Sequence, residues 1–140
     1  MRRFKFDKLV RDEVVYKIMK SGAEPNYRYL DEKEYIDELT RKMIEEVSEF
    51  YEVTDVNDKL CELADMQEII DYLLKGIGKN KKDLKDAQKI KNKENGSYRH
   101  GIYIDYVDCR DGYEWMDYYL KNPLRYPEIN IQPAKTPAMV

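Results

Sequence analysis

Residues 45 to 49, Glu45-Glu46-Val47-Ser48-Glu49, and residues 62 to 65, Glu62-Leu63-Ala64-Asp65, carry carboxylates at a spacing that lets two of them share one cation. On an α-helix, residues three apart lie about 60° apart around the axis, with Cβ atoms roughly 5 to 6 Å apart. Glu46 with Glu49 and Glu62 with Asp65 are two such steps, and two steps facing each other make a cage for a hard cation. A chain with 28 acidic residues shows E-x-x-E steps by chance, so their surroundings carry more weight than their spacing. Glu46 sits between Met43 and Phe50 on a stripe that also holds Ile36, Leu39 and Val47. Glu62 lies inside an apolar arc of Leu63, Met66, Ile69, Ile70, Leu73 and Leu74, and Asp65 borders that arc. An ionised carboxylate half-buried there costs several kcal/mol unless a cation or a donor compensates it.

The elements that must position these groups follow from periodicity and punctuation. Asp31-Glu32-Lys33-Glu34 reads as a D-x-x-E capping box opening a helix from about Glu32 to Val53, which carries the first step. Thr54 to Asp58 is a turn with two candidate caps, and a second helix runs from about Asp58 to Lys75, ending at Gly76-Ile77-Gly78. Two long helices joined by so short a turn are antiparallel neighbours, which brings the two steps to matching heights. A shorter helix is expected from Asp12, as N-cap, to Ser21-Gly22, and another from Asn80, with Asp83 at its third position, to about Lys93. Phe4 to Arg11 reads as an extended lead-in. Tyr27 to Leu30 and Arg99 to Val107 alternate as short strands that can pair with each other. Trp115 to Leu120 suits a short helix, within a proline-rich extended arm. The fold expected is all-α: a four-helix-bundle-like core over residues 1–107, room for a short two-stranded β pairing, and a C-terminal extension over 108–140.

Composition narrows the chemistry. The chain has 140 residues, 42% of them hydrophobic, which suits one modest core. Charged residues make up 38% with a net charge of only -3, and neither a polybasic block nor an acidic tail points to nucleic acid. No apolar run can span a membrane and the basic start leads into Asp7 and Lys8, not into a signal-peptide core, so a cytoplasmic protein is expected. Cys61 and Cys109 have no C-x-x-C partner and His100 is the single histidine. Zinc, a Cys-His nucleophile and a di-iron bundle are therefore all poorly supplied.

Three blocks together resemble a known family. Glu45-Glu46-x-x-Glu49, a 12-residue gap and Glu62-x-x-Asp65 look like the signature of the all-α, MazG-type nucleoside triphosphate pyrophosphohydrolases. With Lys8-Leu9-Val10-Arg11-Asp12 ahead and Gly96 to Ile104 behind, the chain is more similar to the phosphoribosyl-ATP pyrophosphohydrolase-like branch, whose blocks read K-L-V-R-D-K-I-P, E-E-x-x-E with E-L-A-D, and R-G-G-F-x-x-G-I-F-L. The resemblance spans about Lys8 to Val107. Glu13-Val14-Val15 replaces the family's proline-containing step, Asn95 stands where a basic residue is common, and Ser97 replaces a glycine.

The resemblance implies hydrolysis of a nucleotide between its α- and β-phosphates, giving the monophosphate and pyrophosphate with Mg²⁺, or Mn²⁺ in its place. Glu46, Glu49, Glu62 and Asp65 are the expected metal ligands, since Mg²⁺ takes a few carboxylates plus phosphates and waters. Glu45 points away from its helix's apolar stripe, so it either supports the ligands from behind or lies on the surface; Glu45 or Glu49 would orient or deprotonate the attacking water. Lys8 and Arg11, and more weakly Lys91 and Lys93, are the expected phosphate contacts. A homodimer or homotetramer should cover the apolar surface that one unit leaves open. Two rivals stand beside the enzyme: a nucleotide-binding regulatory module that does not hydrolyse, and a helical interaction protein docking through Tyr106 to Tyr126. Within the enzyme class, phosphoribosyl-ATP is the specific alternative substrate.

Overall fold

The computed structural model describes residues 1–131. Its elements are all helical: α1 Asp12–Lys20, α2 Glu32–Glu52, α3 Val56–Gly76, α4 Lys81–Asn95 and α5 Met116–Lys121. The chain divides into two compact units, Met1–Ser97 and Tyr98–Val140.

In the first unit, α2 starts where Asp31 caps it, its side chain accepting from the Glu34 N–H at 2.8 Å. The Glu34 carboxylate also takes the Arg28 guanidinium in a two-pronged pair at 2.8 and 3.3 Å. Val53 leaves the helix in extended geometry, and Asp55 then caps α3 by accepting from the Asn57 and Asp58 N–H groups at 2.9 and 3.1 Å. With Asp55 as cap, α3 begins at Val56, two residues ahead of the expected Asp58.

The two long helices are antiparallel, as contacts at both ends of the hairpin require. Near the turn, Lys59 Nζ donates to the Phe50 carbonyl at 2.7 Å and lies 4.4 Å from the centre of the Phe50 ring. At the open end, Gly76 lies so close to Ile36 that an added Cβ would come within 1.9 Å of Ile36 Cδ1. Only a residue without a side chain allows that approach unless Ile36 moves. The seam buries Leu39, Ile69 and Leu74, together with one charged residue, Glu46.

The remaining helices attach lightly. α4 is held at its start by a reciprocal capping box between Asn80 and Asp83, both bonds 3.0 Å, and by the Lys81–Asp71 ion pair at 3.2 Å. Its apolar positions Leu84 and Ile90 stay exposed. α1 makes no close backbone approach to another helix. Its N-cap is Arg11, not Asp12, and no side chain caps it; Asp12 is already helical. The close packing within the unit is therefore α2 on α3, with α4 against α3.

No strand occurs among the described residues, so the expected pairing of Tyr27–Leu30 with Arg99–Val107 is not formed. Tyr27 and Tyr29 do project to one side, their rings meeting edge-on at 6.2 Å, as extended backbone dictates. Alternation reports an extended chain; a strand also needs a second backbone to bond with. Here the neighbouring Arg28 ties the segment to the first turn of α2 instead.

The second unit is built around aromatic rings. Tyr113, Tyr118, Tyr119 and Tyr126 cluster with centroids 5.0 to 6.3 Å apart about α5, where the sequence favours a short helix, and the Asn122 side chain donates to the Tyr118 carbonyl at 2.8 Å. Pro133 and Pro137 of the expected arm lie outside the described residues.

Candidate metal centre

Glu46 and Glu49 on α2 and Glu62 on α3 meet across the seam, each offering a carboxylate oxygen within 4.8 Å of the others. The Glu46 side chain is only 6% exposed. Its Oε2, like Oε2 of Glu62, is buried without a hydrogen-bond partner. Such oxygens forfeit hydration and receive nothing for it, a state that native structures rarely keep without an ion or a donor. Burial, then the neighbouring Glu62 carboxyl, pushes Glu46 above the usual carboxylate range. Burial and the charge of Glu46 do the same to Glu49.

The same side of the hairpin carries three cations. Lys42, one turn ahead on α2, reaches Glu45 Oε2 at 3.1 Å and Glu46 Oε1 at 3.4 Å. Burial works against its charge, but hydrogen bonds and attraction from the two glutamates prevail and raise its pKa. Lys8 closes on the other Glu45 oxygen at 3.1 Å. Burial alone would push Glu45 up; the two lysines outweigh it and hold its carboxyl low. Arg11 forms an ion pair with Asp65, and that hydrogen bond raises the guanidinium's pKa.

Of the expected ligands, the structure thus joins Glu46, Glu49 and Glu62, and holds Asp65 apart from that group on Arg11. Glu45 is saturated by two lysines and its proton affinity is lowered, so it suits the role of anchoring cations better than that of a base. Glu49 has no such partner and a raised pKa, the combination a water-activating base needs. Lys91 and Lys93 are exposed on α4, and no ion pair joins them to the carboxylate cluster among the described residues. Lys42 was not anticipated, although Lys-x-x-Glu-Glu spacing sets it three and four residues ahead of its partners, within side-chain reach on one helix face.

The donor set decides which ion fits. Three carboxylates with two unpartnered buried oxygens, and no histidine or cysteine among them, suit a hard, oxygen-seeking divalent cation of the Mg²⁺ or Mn²⁺ kind and not zinc. Glu45, Glu46, Glu49, Glu62 and Asp65, with Glu68 also acting on Arg11, outnumber Lys8, Arg11 and Lys42, which leaves an excess of negative charge for a divalent ion to offset. No helix among the described residues is long and apolar enough to cross a membrane. In comparisons with known proteins, no family profile, no curated sequence and no solved structure matches the chain.

Proposed function

We infer that the first unit hydrolyses a nucleoside triphosphate or related nucleotide between its α- and β-phosphates, using Mg²⁺ or Mn²⁺. The observation that carries this reading is the buried, unpartnered carboxylate oxygen of Glu46 within a cluster of three glutamates. The sequence resemblance to MazG-type pyrophosphohydrolases supplies the reaction class. A bound divalent ion would offset charge on the phosphate oxygens and lower the pKa of a coordinated water.

The chain's own groups then have separable tasks. Glu46 and Glu62, from the two helices of the seam, would hold the ion, and Asp65 stands one step further along α3. Glu49 takes the proton of the attacking water, whose oxygen bonds to phosphorus as the bond to the bridging oxygen breaks. Lys42 keeps Glu45 and Glu46 in place. Lys8 and Arg11 offer the positive partners that a triphosphate needs, and Lys91 and Lys93 are more distant candidates for that role.

A homodimer is the assembly that fits. Ile44, Val47 and Tyr51 on α2 and Val56, Leu60 and Leu63 on α3 are exposed along the side of the hairpin away from the carboxylates. A second hairpin laid on them would complete the four-helix-bundle-like core, and two such dimers a tetramer. Free Cys61 and Cys109 suit a reducing, cytoplasmic setting. The same exposed apolar side favours the second reading, a helical interaction protein; the Arg11–Asp65 pair favours a third, a nucleotide-binding module without turnover.

Incubation with Mg²⁺ and a panel of ribo- and deoxyribonucleoside triphosphates and phosphoribosyl-ATP, with pyrophosphate and orthophosphate quantified separately, tests the enzyme. Metal-dependent pyrophosphate release that Glu62→Gln abolishes is the expected result. Nucleotide binding without turnover across the panel would establish the regulatory module instead, and activity lost on removing residues 108–140 would give the tail a part in the site or the assembly.

A further inference from the structure

The three cations on the acidic side differ in how firmly they are placed. Lys42 shares a helix with its partners and is mostly covered. Lys8 and Arg11 come from the segment ahead of α1, and their side chains remain 45% and 59% exposed despite their ion pairs. That segment turns at Asp7, whose φ of 42° makes it the one non-glycine residue with positive φ among those described. A non-glycine residue there is mildly strained, and aspartate is among the residues that tolerate it best. Beyond the turn, Arg11 opens a helix that has no side-chain cap and no close backbone neighbour. The ion pairs with Glu45 and Asp65 thus act together with the half-buried side chains of Leu9, Val10, Val14, Val15 and Ile18 in holding the segment.

Asp65 follows Glu62 by three residues on α3, so its carboxylate and that of Glu62 lie within reach of one ion once Arg11 lets go. Arg11 is suited to let go. A guanidinium binds a phosphate with two parallel hydrogen bonds as readily as a carboxylate, and a phosphate chain brings more charge than Asp65.

We propose that Arg11 is an exchange latch, which neutralises Asp65 in the nucleotide-free chain and passes to the phosphate chain when it binds, releasing Asp65 as a further metal ligand. The latch rests on the metal reading given above. Without a phosphate chain, the excess negative charge of the cluster calls for a divalent ion, while Asp65 stays occupied by Arg11. After the exchange, Asp65 is free and Lys8 can follow Arg11 onto phosphate, so a second ion becomes favourable. Substrate then assembles the complete site, and a site without substrate holds a smaller metal complement.

The test uses the full chain, Mn²⁺ followed by electron paramagnetic resonance, and inorganic tripolyphosphate followed by calorimetry. The wild type should bind about one Mn²⁺ per chain alone and about two with tripolyphosphate. Arg11→Gln should bind Mn²⁺ alone about three- to tenfold more tightly, and tripolyphosphate in the presence of Mn²⁺ about tenfold more weakly, a screened surface charge setting the scale. Adding Asp65→Asn to Arg11→Gln should erase the gain in Mn²⁺ affinity. Arg11→Gln that weakens both ligands, or leaves Mn²⁺ affinity as it was, overturns the latch while the metal site stands. Failure of the wild type to bind Mn²⁺, or binding that survives Glu46→Gln, overturns the metal reading and the latch with it.

Discussion

The two sides of the α2–α3 hairpin handle their unfavourable groups in opposite ways. On one side, buried and half-buried carboxylates are met by Lys8, Arg11 and Lys42 from the same chain. On the other, Ile44, Val47, Tyr51, Val56, Leu60 and Leu63 face outward with nothing of the hairpin over them. The contrast follows from the range and geometry of the forces. A long cationic side chain can reach an anion from a neighbouring segment, so charge is compensated with few atoms. Apolar area is compensated only by an equal area laid against it, which a hairpin with two light attachments does not have to spare.

The strongest way to break the contrast is to charge the apolar side. Val47→Lys with Leu60→Lys should cost association about 3 to 5 kcal/mol, a shift of two to three decades or more in the dimer constant, read by sedimentation. An unchanged mass would mean that the exposed residues serve no second copy. Next in size, Glu46→Gln should weaken Mn²⁺ binding by about a hundredfold, the scale of changes at or just behind metal ligands, while dimerisation stays as it was. Loss of both together would show that the two sides are not independent.

pH sharpens the acidic half alone. Glu46 and Glu49 have folded-state pKa values above the 4.5 of the unfolded chain, so the folded form holds more protons between 4.5 and those raised values. Stability of the metal-free protein must therefore fall as pH rises through that window. Melting temperature of the metal-free protein should drop as pH rises above 4.5 and recover with excess Mg²⁺; a flat profile would count against the crowding of the two carboxyls. Glu45, held low by its lysines, acts in the opposite sense, its contribution being lost only as pH falls below 4.5 and on through its lowered value. The smallest effect is expected at the open end, where Gly76→Ala should cost about 1 kcal/mol in chemical denaturation, the strain of displacing Ile36 less the gain in helix propensity.

Much of this was legible in the residues themselves. Periodicity located the helices of the first unit, and for α2, α3 and α4 caps helped, because Asp31, Asp55 and Asn80 act on backbone groups only two or three residues away. Glu46, Glu49 and Glu62 were legible because two antiparallel helices with a short turn leave little freedom in which residues face each other. What escaped involves partners distant in sequence. Nothing local marks that Arg11 will occupy Asp65, 54 positions on. Val47 and Leu63 were grouped with the core, yet both are exposed, since a stripe's period gives its direction and not the width that a neighbouring helix covers. Alternation at 27–30 likewise could not reveal that no second strand comes to meet it.

The close seat of Gly76 against Ile36 has a mechanical consequence. If the hairpin pivots at the Lys59–Phe50 clasp, Gly76 lies about 25 Å from the pivot along α3 and Glu62 only about 4 to 5 Å, at 1.5 Å rise per residue. A wedge that parts the helices by a given amount at Gly76 moves them by only about a fifth as much at Glu62. The carboxylates sit on the short arm of the lever, so wear at the open end is spent on stability and barely reaches the spacing of the oxygens.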